Sequence, residues 1–228
     1  MVKQKRIIIN FAVPKKRTKI QNSFIRFREM FLENKASRNN KKGWIEVICG
    51  SMFSGKTEEL LRRIRRAEFA NQQIELFKPS IDTRYDEVEV VSHNENSRVS
   101  TPVNNSSEIL LYVNMESVQV VAIDEIQFFD DGIVDVCNKL ANAGIRVIVS
   151  GLDMDYLGQP FGPMPKLMAV AEYVSKQHAI CTQCGDLAQY SHRIVAKQGQ
   201  VLLGEKDAYV PLCRHCYQQM REAESSNE

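Results

Sequence analysis

Residues 50–57 read GSMFSGKT and match the phosphate-binding pattern G-x-x-x-x-G-K-[S/T] at all four fixed positions. Residues 44–49 before them, WIEVIC, are apolar and β-branched, as in a buried strand. Residues 58–71 after them place leucine, isoleucine and alanine on one helical face and arginines largely on the other. The pattern therefore lies between a strand end and a helix start, where a P-loop belongs. The alternative is a Gly/Ser-rich turn followed by an incidental Lys-Thr.

Each part of this pattern has a physical role in binding phosphate. Glycines let backbone N–H groups converge on phosphate oxygens without a Cβ in the way. We expect Lys56 to neutralise the β- and γ-phosphates and the Thr57 hydroxyl to join a Mg²⁺ shell, at a helix N-terminus that itself favours anions. The residues expected to hold the nucleotide phosphates are Gly50, Ser51, Met52, Phe53, Ser54, Gly55, Lys56 and Thr57.

The composition of the chain is that of a globular protein that does not span a membrane. Of its 228 residues, 43% are hydrophobic and 25% are charged. It contains no apolar run near the roughly 20 residues of a membrane span and no secretory signal pattern. Four of its six cysteines form two C-x-x-C pairs, which favours metal binding in a reducing compartment over disulfides. We therefore expect a cytoplasmic protein.

The net charge of +2 conceals an uneven distribution. Residues 1–42 hold 13 lysines and arginines but only two glutamates. The whole chain has 30 basic and 28 acidic residues, so the remainder holds 17 basic and 26 acidic residues. The body is thus mildly acidic, and we expect no nucleic-acid partner for it. Residues 1–42 are predicted to be a basic, poorly ordered extension, with Met30 as an alternative start. A nucleic-acid or targeting arm is the other interpretation.

Strand and helix patterns alternate along the body. Almost continuously apolar runs at residues 118–123 and 145–150 predict strands covered on both faces, and residues 131–143 predict a helix ended by Gly144. This succession implies a mostly parallel sheet between helices. The sequence also predicts strands at 74–77 and 88–91, a helix at 107–113 capped by Ser106 or Ser107, and a helix at 167–173. The Gly/Pro-rich residues 151–165 predict a site-lining loop.

The strand at residues 118–123 ends in Asp124 and Glu125. An acidic residue at the end of a hydrophobic strand that follows a P-loop is typical of a Mg²⁺ ligand, and we assign that role to Asp124. Glu125 is then free to position a water in a hydrolase, or to take the proton of an attacking hydroxyl in a small-molecule kinase. The alternative is that the pair begins a solvated turn.

The four paired cysteines predict a metal site. Cys181, Cys184, Cys213 and Cys216 form two knuckles separated by residues 185–212, and four thiolates make a closed, structural Zn²⁺ site. His215 could replace Cys216, and a redox dithiol pair is the other alternative. Cys49 and Cys137 are predicted to be core residues. The domain prediction is a P-loop core at 43–175, a zinc module with a substrate-covering loop at 176–218, and a polar tail at 219–228.

The order of these motifs resembles the type II, cellular-type thymidine kinases. The resemblance covers about residues 44–217: the P-loop, DTRY at 82–85, DEIQFF at 124–129, GLDMDYLGQPFG at 151–162, and the paired cysteines. It implies an α/β fold, a RecA-like P-loop NTPase core with a small zinc-ribbon-like C-terminal module. It also implies transfer of the γ-phosphoryl group of ATP to the 5′-hydroxyl of thymidine, with Mg²⁺ and a structural Zn²⁺.

The resemblance assigns roles to individual residues. Glu125 is expected to be the general base, Arg84 the arginine beside the phosphates, and Lys56 the P-loop lysine. The nucleotide and Mg²⁺ set is extended by Asp124, Glu125, Ile126 and Gln127. The nucleoside site is expected to comprise Met52, Phe128, Leu152, Tyr156, Phe161, Ser191 and Tyr209, with the loop that carries the last two hydrogen-bonding the thymine largely through its backbone.

The resemblance further implies a homotetramer inhibited by dTTP. The chain departs from the family pattern in two places: Tyr156 stands where phenylalanine is usual, and Glu205 where a second glycine is usual. Two other classes of function compete with the kinase. One is a RecA-like ATPase that acts on nucleic acid through its zinc module, and the other is a zinc-ribbon binding module with a vestigial P-loop.

Overall fold

The computed structural model describes residues 42–81, 89–91, 97–195 and 208–225, which belong to one compact unit. Its strands are β1 (Trp44–Gly50), β2 (Ile74–Pro79), β3 (Glu89–Val91), β4 (Ser97–Val99), β5 (Thr101–Val103), β6 (Val120–Ile123), β7 (Arg146–Gly151), β8 (Tyr173–Gln177), β9 (Ala179–Ile180), β10 (Leu187–Ala188), β11 (Tyr190–Arg193) and β12 (Tyr209–Leu212). Its α-helices are α1 (Lys56–Phe69), α2 (Ile109–Tyr112), α3 (Ile133–Asn142), α4 (Met164–Val170) and α5 (Arg214–Ser225). Two 3₁₀ turns occupy Ser106–Glu108 and Ile126–Phe128.

A six-stranded sheet in the order β5-β2-β6-β7-β1-β8 forms the centre of the fold. Every pairing within it is parallel. The α/β fold with a mostly parallel sheet is therefore confirmed. Because the strands are parallel, their carboxyl ends share one edge, and β7 alone separates the P-loop strand β1 from β6. Loops that leave β1, β6 and β7 can therefore meet in one crevice.

The sheet is covered on both faces because its strand residues alternate. On β1, Ile45 and Val47 face one apolar cluster and Ile48 faces the other. Helix α1 covers the second cluster, and α3 and α4 cover the first. The helix residues buried there are Leu60, Leu61, Ile64 and Ala67 on α1, Ile133, Val136, Cys137 and Leu140 on α3, and Met164 and Leu167 on α4.

Both core cysteines were correctly predicted. Cys49 lies on β1 and Cys137 on α3, and neither is exposed. Burial raises the pKa of Cys49 to about 11 and that of Cys137 to about 12, so both remain neutral thiols. Gly144, with φ = 88°, follows the C-terminus of α3 as expected.

Local predictions had mixed outcomes. The strand predicted at 88–91 is confirmed as β3, which pairs with β4 in an antiparallel hairpin outside the main sheet, and β5 is the edge strand of that sheet. Asn105, not a serine, caps the short helical segment, since its side chain accepts from the backbone N–H of Glu108. Helix α4 spans Met164–Val170 and not the predicted residues 167–173. It begins earlier than predicted because proline is tolerated in the first turn of a helix.

The C-terminal region has its own small core. Two antiparallel pairs, β9–β10 and β11–β12, pack with α5 around Ala179, Ala188, Tyr190, Leu212, Tyr217 and three of the cysteines. Among the described residues, no helix combines the length and apolarity that crossing a bilayer requires. The predicted N-terminal extension and the end of the polar tail lie outside the described residues. The domain boundaries themselves stay a prediction.

Candidate active site

The loop between β1 and α1 has a backbone that only glycine allows at its first position. Gly50 has φ = 144°, and a Cβ there would lie 2.1 Å from the carbonyl oxygen of Gln177 on β8. Gly55, with φ = 81°, occupies the N-cap of α1. The loop therefore turns sharply at both ends, and the N-terminus of α1 opens towards it.

Two side chains of this loop converge on one carbonyl group. The Lys56 ammonium donates to the Ser51 carbonyl oxygen at 2.8 Å, and the Ser54 hydroxyl donates to the same oxygen at 2.8 Å. The Lys56 side chain is buried. A buried ammonium group held against a turn of backbone N–H donors suits a polyanionic ligand.

Asp124 follows β6 at the same edge of the sheet. Its carboxylate accepts a hydrogen bond from the Thr57 hydroxyl, with Oγ1 and Oδ2 3.3 Å apart. The backbone N–H of Asp124 donates to the Phe77 carbonyl oxygen on β2 at 3.0 Å, which fixes the start of this turn. A hydroxyl from the first turn of α1 and a carboxylate from the turn after β6 thus lie together, which is the oxygen donor set that Mg²⁺ takes beside a phosphate.

Glu125, the next residue, has a backbone conformation that is uncommon outside glycine, with φ = 50°. Its carboxylate accepts a hydrogen bond from Gln127 Nε2 at 2.5 Å. The Gln127 carbonyl Oε1 accepts in turn from the backbone N–H of Leu152 at 2.9 Å. One buried amide therefore connects Glu125 to the loop that follows β7. A Cβ on Gly151 would lie 2.4 Å from that Oε1, which explains the glycine.

Two phenylalanines flank the turn after Glu125. The rings of Phe128 and Phe161 meet edge to face with centroids 5.7 Å apart. Gly162 has φ = 51°, and a Cβ there would lie 2.3 Å from the Gln127 carbonyl oxygen. The loop between β7 and α4 therefore packs closely on the Glu125 turn and presents an aromatic wall beside it.

Strand β11 connects the cysteine module to the phosphate loop. The Ser191 hydroxyl accepts from the backbone N–H of Met52 at 2.9 Å. Tyr190 and His192 point to the opposite face, where Tyr190 stacks on the Tyr217 ring at 4.3 Å. Burial lowers the pKa of His192 although Glu224 opposes the shift, so this histidine is neutral near pH 7.

A residue absent from the sequence predictions, Arg193, contacts two of the predicted nucleoside residues. Its guanidinium carbon lies 3.7 Å from the centroid of the Tyr156 ring, and its Nη2 donates to the Tyr209 hydroxyl at 3.0 Å. The Tyr217 hydroxyl donates to the Tyr156 carbonyl oxygen at 2.9 Å. The signal that could have found Arg193 is its place two residues after Ser191, on the same face of a strand.

The four paired cysteines form one cluster. Their sulfur atoms lie within 4.8 Å of one another, and His215 is not part of the set. Cys181 and Cys184 lie on the turn between β9 and β10, while Cys213 immediately precedes α5 and Cys216 is on its first turn. Tetrahedral Zn²⁺ with Zn–S distances of about 2.3 Å needs sulfurs about 3.8 Å apart. The residues therefore fit a four-thiolate metal such as zinc.

Hydrogen bonds within the cluster shift the pKa values of Cys216 and Cys181 in opposite directions. The pKa of Cys216 is raised to about 12, first by its hydrogen bond to Cys213 and then by burial. Burial also raises that of Cys181, but backbone N–H groups of Cys213 and Cys184 outweigh it and lower the pKa to about 6. Several thiols this close cannot all ionise unless a cation compensates their charge.

The structure thus brings the phosphate loop, Asp124, Glu125, Gln127 and the aromatic wall to one edge of the sheet. Ile126 is buried in the sheet core behind them and Phe53 is half exposed at the loop's tip. Arg84 and Glu205 lie outside the described residues. The P-loop and the paired carboxylates at a neighbouring strand end define a P-loop phosphotransferase, with a module whose four cysteines could hold a metal ion.

The particular family follows from comparison with known proteins. Residues 43–217 match the thymidine kinase family model, and the chain belongs to that family. It is 60% identical over 192 residues to a thymidine kinase of Bacteroides thetaiotaomicron, covering 84% of this chain and 96% of that protein. It is 59% identical over 186 residues to a thymidine kinase of Porphyromonas gingivalis (82% and 90%) and 58% identical over 185 residues to one of a Rhodothermus species (81% and 86%).

Proposed function

We propose that this protein transfers the γ-phosphoryl group of ATP to the 5′-hydroxyl of thymidine and so produces dTMP. The observation that carries the proposal is the position of Glu125. Its carboxylate is fixed by Gln127 and directly follows Asp124, whose own carboxylate contacts Thr57 at the end of the phosphate loop. A proton acceptor thus lies next to the place where the terminal phosphate would bind.

Phosphoryl transfer needs alignment and charge neutralisation more than covalent help from the protein. Lys56 and the backbone N–H groups of residues 50–57 would hold the triphosphate, and Arg84 would approach it from the segment after β2. Asp124 and Thr57 would hold Mg²⁺, which when bound neutralises charge on the β- and γ-phosphate oxygens. Ile126 and Gln127 would belong to the nucleotide side through their backbone, because the Ile126 side chain is buried in the core and the Gln127 amide contacts Glu125 and Leu152.

Glu125 would accept the proton of the 5′-hydroxyl as that oxygen attacks the γ-phosphorus. Gln127 holds one carboxylate oxygen by donating its amide hydrogen. This contact fixes the direction of the carboxylate. Because Gln127 also accepts from Leu152, the base and the proposed nucleoside wall are positioned by the same amide.

The nucleoside would lie between the phosphate loop and the cysteine module. The residues proposed to enclose it are Met52, Phe128, Leu152, Tyr156, Phe161, Ser191 and Tyr209. Apolar contacts near C5 of the pyrimidine would favour the methyl group of thymine, and the segment between β11 and β12 would cover the site. Covering the site excludes water, which would otherwise accept the phosphoryl group.

We propose that Zn²⁺ bound by the four cysteines has a structural role in this arrangement. It would join the turn between β9 and β10 to the start of α5, and thereby fix the ends of the covering segment. Four protein thiolates leave no open position for substrate, so the metal supplies rigidity and not chemistry. The fully reduced thiol set suits a cytoplasmic enzyme of thymidine salvage for DNA synthesis. A homotetramer inhibited by dTTP, with no nucleic-acid partner, completes the proposal.

The test is a phosphorylation assay with ATP and a panel of nucleosides. We expect thymidine-dependent release of ADP, which Glu125→Gln lowers about 10²–10⁴-fold because the general base is lost. Binding of a non-hydrolysable ATP analogue and the zinc content should be retained. Glu116→Gln, at an exposed turn before β6, is the matched control and should leave the rate unchanged. The proposal is wrong if no nucleoside is phosphorylated while DNA stimulates ATP hydrolysis.

A further inference from the structure

Arg193 is the last residue of β11 and is placed where several segments of the proposed nucleoside site meet. It is buried, although arginine is seldom buried without partners. In the β11–β12 pair it lies directly opposite Tyr209, the first residue of β12. The next pair of residues is also bonded, since the backbone N–H of Ile194 donates to the Ala208 carbonyl oxygen at 2.9 Å. Arg193 and Tyr209 therefore stand at the base of the segment that would cover the substrate.

The guanidinium group contacts two tyrosines in different ways. It lies over the face of Tyr156, at 3.7 Å from the ring centroid, and donates to the Tyr209 hydroxyl at 3.0 Å. A cation over a tyrosine ring that is shielded from water is held by the ring quadrupole. The planar guanidinium group can stack and donate at once, which a lysine ammonium group cannot do in the same geometry. Arg193 thus connects the base of the covering segment to the loop after β7.

The hydrogen bond to Tyr209 has a chemical consequence. A phenol has one hydrogen, and because its oxygen accepts from Arg193, that hydrogen remains available to another acceptor. A charge-assisted bond to the oxygen also polarises the phenol and strengthens it as a donor. A thymine ring presents two carbonyl oxygens, which are acceptors of this kind. Arg193 would therefore prepare Tyr209 to donate to the base without touching the base itself.

Tyr156 is positioned from two directions. Its carbonyl oxygen is fixed by the Tyr217 hydroxyl of α5, and its ring is fixed by Arg193. Asp155 accepts backbone hydrogen bonds from Leu157 and Gln159 at 2.9 Å each, so the loop around Tyr156 is a closed turn. Removing the guanidinium group would leave the backbone of this turn in place and free only the ring. The expected effect is local to the nucleoside and does not extend to the phosphate loop.

We infer that Arg193 is a positioning residue for the nucleoside, which orients the Tyr156 ring and the Tyr209 hydroxyl and so sets the affinity for a pyrimidine nucleoside. The inference rests on the proposed function, because it requires that both tyrosines face thymidine. It is separate from the chemistry of Glu125 and Lys56. Replacing Arg193 should accordingly raise the KM for thymidine and leave the KM for ATP and the turnover number nearly unchanged.

The experiment measures steady-state kinetics of the full chain with each substrate varied in turn. We expect Arg193→Met to raise the KM for thymidine about tenfold, the effect of losing one charge-assisted hydrogen bond and a stacked cation. The KM for ATP should change less than about twofold. Arg221→Met, which removes an exposed arginine of α5 from the same module, is the matched control and should change neither constant. Equal rises in both KM values, or an unchanged KM for thymidine, would overturn the inference.

A double-mutant cycle separates a positioning role from a merely structural one. Tyr209→Phe and Arg193→Met remove the same hydrogen bond, so the double variant should bind thymidine within about twofold of Arg193→Met alone. Fully additive losses would contradict the inference. Zinc content and the thermal midpoint report folding; if Arg193→Met does not fold, Arg193→Lys, which keeps the charge, takes its place in the same cycle. A wild-type protein inactive on every nucleoside would refute the proposed function and this inference together, whereas an active wild type with unaffected variants refutes only the inference.

Discussion

Helices α1 and α5 have similar lengths, 14 and 12 residues, but they are held in the fold by different means. Helix α1 buries a continuous apolar stripe, Leu60, Leu61, Ile64 and Ala67, against the parallel sheet. Helix α5 buries only Cys216 and Tyr217. Burial of apolar side chains can account for the first helix, because each buried leucine or isoleucine contributes about 1.5–3 kcal/mol. The second helix needs additional support.

The parallel-sheet core and the cysteine module differ in the same way, in how much apolar surface each buries. The sheet is enclosed by two apolar clusters, whereas the cysteine module has one small cluster in which three of the eight buried residues are cysteines. A module with so small a core is marginal by itself. The comparison teaches that the phosphate site rests on a self-sufficient core, while the segments proposed to contact the base rest on a module for which we propose support from a bound metal.

Removing the metal is the strongest test of this difference. Structural zinc contributes about 10–16 kcal/mol of binding free energy, which in a small module is also folding free energy. We expect chelation or Cys184→Ser to abolish thymidine phosphorylation while the sheet core stays folded and still binds an ATP analogue. The measurements are zinc per chain, circular dichroism and nucleotide binding.

The control for metal removal is Cys137→Ala, which removes a buried thiol from α3 and not from the cluster. It should destabilise the core modestly and leave one zinc per chain. Metal-free protein that phosphorylates thymidine at the wild-type rate would show that the module holds its shape without zinc.

The sequence predicted the core more accurately than it predicted contacts between regions. The apolar runs around β1, β6 and β7 have one structural solution, a parallel sheet covered on both faces, and that was predicted. The contacts of Gln127 were not predicted, because a glutamine shortly after an Asp-Glu pair gives no sign that its amide will join Glu125 to Leu152. Such contacts depend on loop geometry that no periodicity encodes.

Helix α4 shows a different reason for failure. Two prolines before Leu167 look like a break in the chain, yet proline lacks only a donor that the first helical turn does not use. Arg193 shows a third reason why sequence prediction failed. Its strand is four residues long, too short for alternation to reveal which face meets Tyr156. Sequence reasoning therefore proposes groups for the chemistry, and it gave no sign of the contacts by which Gln127 and Arg193 hold other groups in place.

A buried ion-pair network at the other end of the sheet tests the stability of the core itself. The Glu46 carboxylate accepts from Arg146 at 2.6 Å and from Arg63 at 2.8 Å. Glu46→Gln removes the negative charge beside the buried Arg146 guanidinium group, whereas Arg63 keeps its ion pair with Glu59, and should cost about 3–5 kcal/mol of unfolding free energy. Asp131→Asn breaks an exposed 2.6 Å pair with Lys166 and should cost less than about 1 kcal/mol.

The network also predicts a pH dependence. Burial alone would raise the pKa of Glu46, but hydrogen bonds and charge from Arg146, followed by Trp44 and Arg63, lower it below its ordinary value of 4.5. The unfolded state therefore binds the proton more readily, so this stabilisation is complete above about pH 4.5 and is lost as the pH falls through the folded-state pKa. The difference in unfolding free energy between wild type and Glu46→Gln should shrink below pH 4.5. Acid would also protonate the cysteines and release zinc, but this affects both proteins equally and cancels in the difference. A difference that stays constant down to acid unfolding would contradict the assignment.

The smallest expected effect lies at the junction of the two regions. Ser191 of β11 accepts from the backbone N–H of Met52 in the phosphate loop, and Ser191→Ala leaves that N–H without its acceptor. The cost should be about 0.5–1.5 kcal/mol, seen as a several-fold loss in kcat/KM for both substrates, because the bond joins the phosphate loop to the module. The matched control is Ser150→Ala on β7, which removes a buried hydroxyl that has no hydrogen-bond partner among the described residues and should be neutral or slightly stabilising. If Ser191→Ala affects only thymidine, the bond supports the nucleoside side of the site and not the phosphate loop; if it affects neither substrate, the phosphate loop keeps its shape without this bond.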